Sequence, residues 1–234
     1  MATIRILSGG AAQAVVEKIG ADFQRATGHE ISAEFSAVGA MKEKLLAGDP
    51  ADIMILTAAL IDGLIESGHI VSRSRADLGR VGTGVAVRAG TPMPNVSNAA
   101  VLRGNILAAT VIACPDPAVA TAGKVVMAML DKLGIAAEVR GRMKFFPNGY
   151  AAMRWLASST GTLELGITQV TEILPNPGVA LAGQMPADLQ TKTIYTAGLV
   201  TSASQPYLGR EFIARLTAHE AQPVLAAAGY EFGH

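Results

Sequence analysis

The chain has 234 residues with 19 basic and 19 acidic side chains, so its formal net charge is zero when the histidines are neutral. Nucleic-acid and anionic-membrane binding usually need a basic patch, and the chain has no long run of either sign, so we expect neither partner. Half of the residues are hydrophobic, but no apolar stretch reaches the roughly 20 residues that cross a bilayer, so the protein is not expected to be membrane-embedded.

The predicted elements alternate between strand and helix in two successive blocks. The first block is predicted as strand 4–8, helix 13–27, strand 30–35, helix 41–47 and strand 52–56. The second is predicted as strand 110–114, helix 123–132, strand 143–146, helix 151–157 and strand 165–167. This alternation predicts an α/β fold with two lobes, each a mostly parallel sheet flanked by helices.

The remaining segments are predicted to join the lobes and close the chain. Residues 79–87 carry two glycines inside a strand-like run, which favours a crossing from the first lobe to the second. After a strand over 178–181, residues 193–200 are predicted to make the return crossing. Helices over 207–217 and 220–227 follow.

Three of the predicted helices open directly from small or hydroxylated residues. These openings are Ser8-Gly9-Gly10-Ala11, Ser36-Ala37-Val38-Gly39-Ala40 and Thr121-Ala122-Gly123. The first four amides of a helix lack internal partners and carry partial positive charge, so each opening could hold an anion without a lysine or arginine.

The sequence lacks the motifs of nucleotide-binding, serine-hydrolase and metal sites. No G-x-G-x-x-G or G-K-[ST] loop is present, which argues against nucleotides, and we expect no cofactor. A serine-hydrolase elbow is also absent. We expect no metal, because the histidines are scattered: His29, His69, His219 and His234. The single Cys114 excludes an internal disulfide and is predicted to be a small buried residue, whereas Asp49 and Asp52 are predicted to be solvated at a turn.

Motifs along nearly the whole chain resemble the molybdate-binding, type II periplasmic solute-binding proteins. They are Ile6-Leu7-Ser8-Gly9-Gly10, Glu34-Phe35-Ser36, the stretch 46–55 with Gly48-Asp49-Pro50-Ala51-Asp52, Pro115-Asp116-Pro117, 165–169 and the ending 228–232. The resemblance implies two α/β lobes, 1–84 with 199–234 and 85–198, which close by a hinge on a small anion held in a cleft.

The resemblance also sets expectations for partners and location. An exported form would deliver its ligand to an ABC-transporter permease. No leader precedes the first strand, so the chain is expected to be cytoplasmic as written, or periplasmic if a leader was removed.

The helix openings and the resemblance together define the ligand-binding candidates. They are Ser8, Gly9, Gly10, Ala11, Ser36, Ala37, Val38, Gly39, Thr57, Arg80, Thr121, Ala122, Asn148, Gly149, Tyr150, Thr168 and Gln169. Arg80, Arg103 and Lys124 are candidate cations, although basic residues in such positions are more often solvated.

The sequence departs from the family where the family holds its tetrahedral oxyanion. The first loop's serine falls on Ala11, the second loop retains only Ser36, and the second-lobe tyrosine falls on Gln169. Each lost hydroxyl forfeits a charge-assisted hydrogen bond of about 1.5–3 kcal/mol. The remaining amide, hydroxyl and phenol groups favour an organic carboxylate over molybdate.

Two alternatives to a binding protein remain. The chain is also similar to the aconitate isomerases, which would make it an isomerase of a small unsaturated tricarboxylate with Tyr150 or Lys124 as the base. The expected cleft loops carry no Asp, Glu or His of the usual catalytic kind, which counts against that reading. An effector domain of a transcription factor is disfavoured because no helix-turn-helix or basic segment is present.

Overall fold

The structure, a computed structural model, describes residues 1–233, and His234 lies outside the described residues. The chain divides into two compact units, of which the first comprises Met1–Val81 with the chain from Thr193 onward and the second comprises Gly82–Lys192. The sequence-based bounds, 1–84 with 199–234 and 85–198, place both crossings a few residues later. The return crossing falls before Thr193 because the strand that begins there pairs with strands of the first unit.

Strands and helices alternate along most of the chain. The strands are β1 (Thr3–Gly9), β2 (Glu30–Ser36), β3 (Ile53–Thr57), β4 (Ala76–Val81), β5 (Thr83–Arg88), β6 (Val111–Pro115), β7 (Met143–Phe146), β8 (Glu164–Gln169), β9 (Val179–Gln184), β10 (Thr193–Leu199) and β11 (Tyr230–Glu231). The helices are α1 (Gln13–Thr27), α2 (Val38–Leu46), α3 (Ala58–Glu66), α4 (Ala99–Ala108), α5 (Thr121–Lys132), α6 (Ala136–Val139), α7 (Gly149–Ser158), α8 (Val170–Ile173), α9 (Pro206–Thr217) and α10 (Gln222–Ala227).

Each unit is built on one mixed sheet. The strand order in the first unit is β11-β4-β10-β3-β1-β2, with β2, β1 and β3 parallel and β10 antiparallel to both of its neighbours. The order in the second unit is β7-β6-β8-β5-β9, with β7, β6 and β8 parallel and β5 antiparallel. The prediction of two α/β units is confirmed, but both sheets are mixed rather than mostly parallel, because β10 and β5 run antiparallel to their neighbours, and the parallel strands are the ones that helices follow.

The first helix shows how the sequence specifies these elements. Its predicted bounds, Gln13–Thr27, are those observed. Val15, Ile19 and Phe23 recur at helical spacing and are buried in the core of the first unit. Gly28 ends the helix with a φ of 70°, a left-handed conformation that glycine adopts without a Cβ penalty.

The burial of Cys114 was predicted from the sequence, whereas that of Asp52 was not. Cys114 is fully buried, as predicted, and burial raises the pKa of its thiol to about 12. The prediction that Asp52 is solvated is wrong, because only 1% of it is exposed. Its carboxylate accepts hydrogen bonds from the Arg5 N–H at 2.8 Å, the Ser204 hydroxyl at 3.0 Å and the Gln205 N–H at 2.8 Å, so it holds the segment that leads into α9.

Among residues 1–233, no helix is long and apolar enough to cross a membrane.

Candidate functional site

Candidates from separate loops of the first unit come together at one edge of its sheet. The parallel register places Gly9 beside Ser36 and Ser8 beside Ile55. The carboxyl ends of β1, β2 and β3 therefore share this edge, where ligands bind in open α/β sheets. Because α1, α2 and α3 each follow one of these strands, their N-termini start at the same edge.

The helix starts at this edge lack side-chain caps. α2 follows Ala37 and α3 follows Thr57, and neither of these N-cap residues accepts from a first-turn amide through its side chain. The same holds at Gly9, which precedes the 3-10 turn Gly10–Ala12 that leads into α1. These amides combine the positive end of the helix dipole with donors that no capping side chain occupies.

Close packing explains the small residues here. A Cβ built on Gly9 would lie 2.6 Å from Val38 Cγ1 and 3.2 Å from Tyr195 Cε1, so a side chain does not fit without displacement. Tyr195 pairs with Thr57 across β10 and β3 and is 3% exposed, and the sequence prediction did not include it. Ser8 is fully buried and its hydroxyl donates to the Gly9 carbonyl at 3.0 Å.

Two basic candidates, Arg80 and Arg103, lie one in each unit. Arg80 is on β4, with β10 and β3 between it and β1, a separation of roughly 14 Å at the usual strand spacing. It lines a depression with Asp77, Glu231 and Gln222. Arg103 is exposed on α4 and donates through Nε to the Leu133 carbonyl at 3.3 Å. The structure does not bring Arg80 into the group at the carboxyl ends of β1–β3.

The second unit repeats the arrangement with β6, β7 and β8. Pro115 pairs with Phe146, so the carboxyl ends of β6 and β7 adjoin. α5 begins at Thr121 after Ala120, with no side-chain cap among the described residues. A Cβ on Gly123 would lie 2.4 Å from the Pro115 carbonyl oxygen, so the first turn of α5 packs directly on the end of β6.

At the start of α7, unlike that of α5, side-chain oxygens accept hydrogen bonds from the backbone amides. Asn148 is the N-cap, and its Oδ1 accepts from the Ala151 N–H at 2.9 Å. The Gly149 N–H donates to Glu172 Oε1 at 3.1 Å, and the Thr168 hydroxyl donates to Glu172 Oε2 at 2.6 Å. Glu172 therefore joins α7 to the end of β8.

The two candidate bases differ in exposure. Tyr150 is 8% exposed, at the second position of α7, whereas the Lys124 side chain is exposed on the first turn of α5. Gln169, which precedes α8, is 1% exposed and pairs with Thr83 of β5.

The expectation that these loops lack an acidic residue is wrong, because Glu172 lies among them. It is 4% exposed, and burial raises the pKa of its carboxyl to about 7, although hydrogen bonds from Thr168 and from the Gly149 and Gln169 backbone act in the opposite direction. A signal was available in the sequence, since Glu172 is the only charged residue in the apolar run 170–174 that follows a predicted strand.

A metal centre has no ready ligand set at these edges. Across the part of the chain that is described, no three His, Cys, Asp or Glu side chains cluster so as to hold an ion.

This fold and these helix starts identify the class of protein. The chain belongs to the family of bacterial extracellular solute-binding proteins, whose sequence pattern matches residues 4–231. A solved structure, the periplasmic molybdate-binding protein of Azotobacter vinelandii, superposes with a TM-score of 0.84, at 19% identity, over 99% of this chain and 100% of that one. At that identity the likeness shows the shared type II fold.

Two curated relatives have different names. An aconitate isomerase from a Pseudomonas species is 25% identical over 97% of this chain and 87% of its own length. A putative ABC transporter substrate-binding lipoprotein of Bacillus subtilis, YvgL, is 22% identical over 97% of this chain and 86% of its own length. The relatives thus include one named as an enzyme and one named as a transport component.

Proposed function

We propose that this solute-binding protein captures a small organic carboxylate, rather than molybdate, by closing its two units on the ligand through a hinge. One observation carries the proposal: uncapped helix starts collect at the carboxyl ends of parallel strands, α1, α2 and α3 in one unit and α5 in the other. Such amides bind an anion with few formal cations, and closure would remove competing water from them.

The residues around these amides support a ligand with carbon as well as oxygen. Ala11, Ala37, Val38 and Ala122 are all at most 6% exposed and present methyl groups beside the helix starts. Molybdate has oxygen on every side and would leave such walls in contact with unpaired oxyanion atoms, which is costly in a dry site. A carboxylate turns its oxygens to the amides and its carbon skeleton to the methyl groups.

Delivery to a membrane permease follows if the protein is exported. The Bacillus relative named as an ABC transporter substrate-binding lipoprotein supports this role. Under this proposal the protein acts in the periplasm and its partner is the permease of an ABC transporter. The open-to-closed equilibrium then reports ligand occupancy, because a ligand shifts it only by its preference for the closed form.

A second candidate function is isomerisation of a small unsaturated tricarboxylate. Glu172 favours it, because it adds a buried carboxyl beside Gly149 and Thr168, and one relative is named aconitate isomerase. In this reaction a base removes an allylic proton and a proton returns to the other end of the allyl system. Tyr150 or Lys124 would be the base, and the helix starts would stabilise the dienolate.

A ligand screen followed by a turnover assay tests both functions. Melting temperature is measured with molybdate, tungstate, sulfate, citrate, cis-aconitate and trans-aconitate, since a ligand at about 100 times its Kd stabilises by about 2.7 kcal/mol. We expect a carboxylate to stabilise the protein more than molybdate does. Stabilisation by molybdate or tungstate alone would contradict the carboxylate proposal.

The second step separates binding from catalysis. Proton NMR follows each stabilising carboxylate during incubation with the protein, and appearance of the other aconitate isomer at a rate proportional to protein concentration establishes the isomerase. An unchanged spectrum supports the binding protein. Thr121→Val, which removes a hydroxyl at the α5 start, is compared with Thr162→Val on an exposed loop of the same unit as the matched control.

A further inference from the structure

Glu172 is an acidic residue placed where an anion is proposed to bind. Its carboxyl is joined to the Gly149 N–H and the Thr168 hydroxyl, two of the ligand-binding candidates. Gly149 packs closely against both side chains, since a Cβ on Gly149 would lie 2.0 Å from Glu172 Oε2 and 2.2 Å from Thr168 Oγ1. No space separates the carboxyl from the start of α7.

The carboxyl has no cation to balance it among the described residues. α8 packs against α7, β5, β8 and β9. The titratable or charged side chains on these elements are Tyr150 and Arg154 on α7, Arg88 on β5 and Glu164 on β8, with none on β9. None of them acts electrostatically on the pKa of Glu172, which burial and hydrogen bonds alone determine. A negative charge on Glu172 is therefore held by neutral donors.

The ionised and protonated forms of Glu172 offer different surroundings to an anion. The ionised carboxylate takes the hydrogen of the Thr168 hydroxyl and repels a second negative charge nearby. The protonated acid has an O–H that can donate to Thr168 Oγ1, and reversal of that bond frees the hydroxyl hydrogen for a ligand oxygen. Protonation removes the repulsion at the same time.

We propose that Glu172 takes up a proton when an anion binds at the start of α7, so that binding is coupled to proton uptake. This inference rests on the proposed function, because it needs Gly149 and Thr168 to lie close to the bound anion. The reaction balances as one anion plus one proton from solvent giving a complex with a neutral Glu172.

The raised pKa of Glu172, about 7, supports the coupling because protonation near neutral pH is nearly free of cost. A nearby anion disfavours the charged carboxylate and raises this pKa further. By linkage, affinity should be constant below about pH 6, where Glu172 already holds its proton, and fall by up to about tenfold per pH unit above about pH 7.

Isothermal titration calorimetry tests the coupling directly. Trans-aconitate and sulfate are the probes, both fully ionised above about pH 6, and each is titrated in two buffers of different ionisation enthalpy between about pH 6 and 9. We expect the wild-type protein to take up close to one proton per bound anion at about pH 8. Glu172→Gln, which mimics the neutral acid, should bind with no uptake and a flat pH profile.

Two further variants make the result specific. Glu164→Gln is the matched control, because Glu164 also accepts from a hydroxyl, that of Ser159, on the same unit, and its proton uptake should equal that of the wild type. Thr168→Val removes a bond that lowers the pKa of Glu172, so the fall in affinity should begin at a higher pH. The wild-type proton count remains decisive even if Glu172→Gln does not fold.

The outcomes separate this inference from the function on which it rests. Binding without proton uptake, or uptake that persists in Glu172→Gln, overturns the coupling and leaves the anion-binding proposal intact. Failure of wild-type protein to bind either probe, or any anion of the screen, at any pH overturns both. Uptake that disappears only in Glu172→Gln supports the coupling.

Discussion

The buried Glu172 carboxyl should make folding stability fall as the pH rises. Burial raises its pKa in the folded chain from 4.5 to about 7. Between these values the folded protein retains a proton that the unfolded chain has lost. Since the folded state then binds more protons, its stability is fully present below about pH 4.5 and decreases until about pH 7.

The size of the effect follows from the two pKa values. Each pH unit between them is worth about 1.36 kcal/mol, so ionisation of Glu172 costs the folded state about 3 kcal/mol in total. Glu172→Gln removes this cost. The amide oxygen can accept from the Gly149 N–H and the amide nitrogen can donate to Thr168 Oγ1, so both hydrogen bonds are retained.

Urea unfolding followed by circular dichroism measures this difference. At about pH 5 the wild type and Glu172→Gln should agree within about 1 kcal/mol, and at about pH 8 the variant should be more stable by about 2–3 kcal/mol. Glu164→Gln serves as the control and should follow the wild-type curve. Parallel stability curves for the wild type and Glu172→Gln across this range would refute the reasoning.

Two substitutions test the close packing at the start of α7 and the buried Asp52 carboxylate at the amino end of β3. Gly149→Ala forces a Cβ onto buried atoms of Glu172 and Thr168 and should cost about 1–3 kcal/mol in urea unfolding, whereas Gly104→Ala, with no described atom within 4 Å of its Cβ, should gain up to about 1 kcal/mol. Equal effects of the two would contradict the packing argument. Asp52→Ala should lose about 2–4 kcal/mol of unfolding free energy because it leaves the Arg5 and Gln205 N–H groups without their acceptor, and a loss no larger than that of Asp49→Ala, at an exposed position, would be inconsistent with it.

Local patterns predicted the elements that have one clear apolar face or a clear stop signal. The predicted bounds of α1 agree with the structure because its apolar face is regular and Gly28 ends it. The predicted start of α2 was three residues late, since Ala37 has no side chain that can cap the helix and Gly39 has a low helix propensity. α3 was not predicted, and neither was α4, whose apolar residues do not mark a single narrow face.

Much of the candidate site was also accessible from sequence, because it consists of backbone at helix starts. Gly9, Ser36 and Thr57 are the last residues of parallel strands, and the carboxyl ends of parallel strands lie at a common edge. Glu172 was missed because its role depends on a hydrogen bond to Gly149, 23 residues away in sequence. Asp52 was misjudged for the same reason, since two of its donors lie more than 150 residues further along the chain.

A matched pair of N-cap substitutions tests the central claim, that an anion binds at the carboxyl ends of these strands, because α7 starts after β7, next to the strand that leads to the uncapped start of α5. Asn148 and Asn98 each accept from a backbone N–H three residues on, at 2.9 and 3.0 Å, but only Asn148 belongs to the candidate group. Aspartate caps a helix as well as asparagine does, so Asn148→Asp and Asn98→Asp should both fold normally while adding the same charge.

Calorimetric titration of both variants with the carboxylate that stabilises the wild type best gives the decisive comparison. Two like charges separated by about 6 Å, at an effective dielectric constant of about 20, repel each other by about 2–3 kcal/mol. We expect Asn148→Asp to weaken binding by roughly 30- to 100-fold and Asn98→Asp to leave the Kd unchanged. Equal Kd values for the two variants would contradict the account.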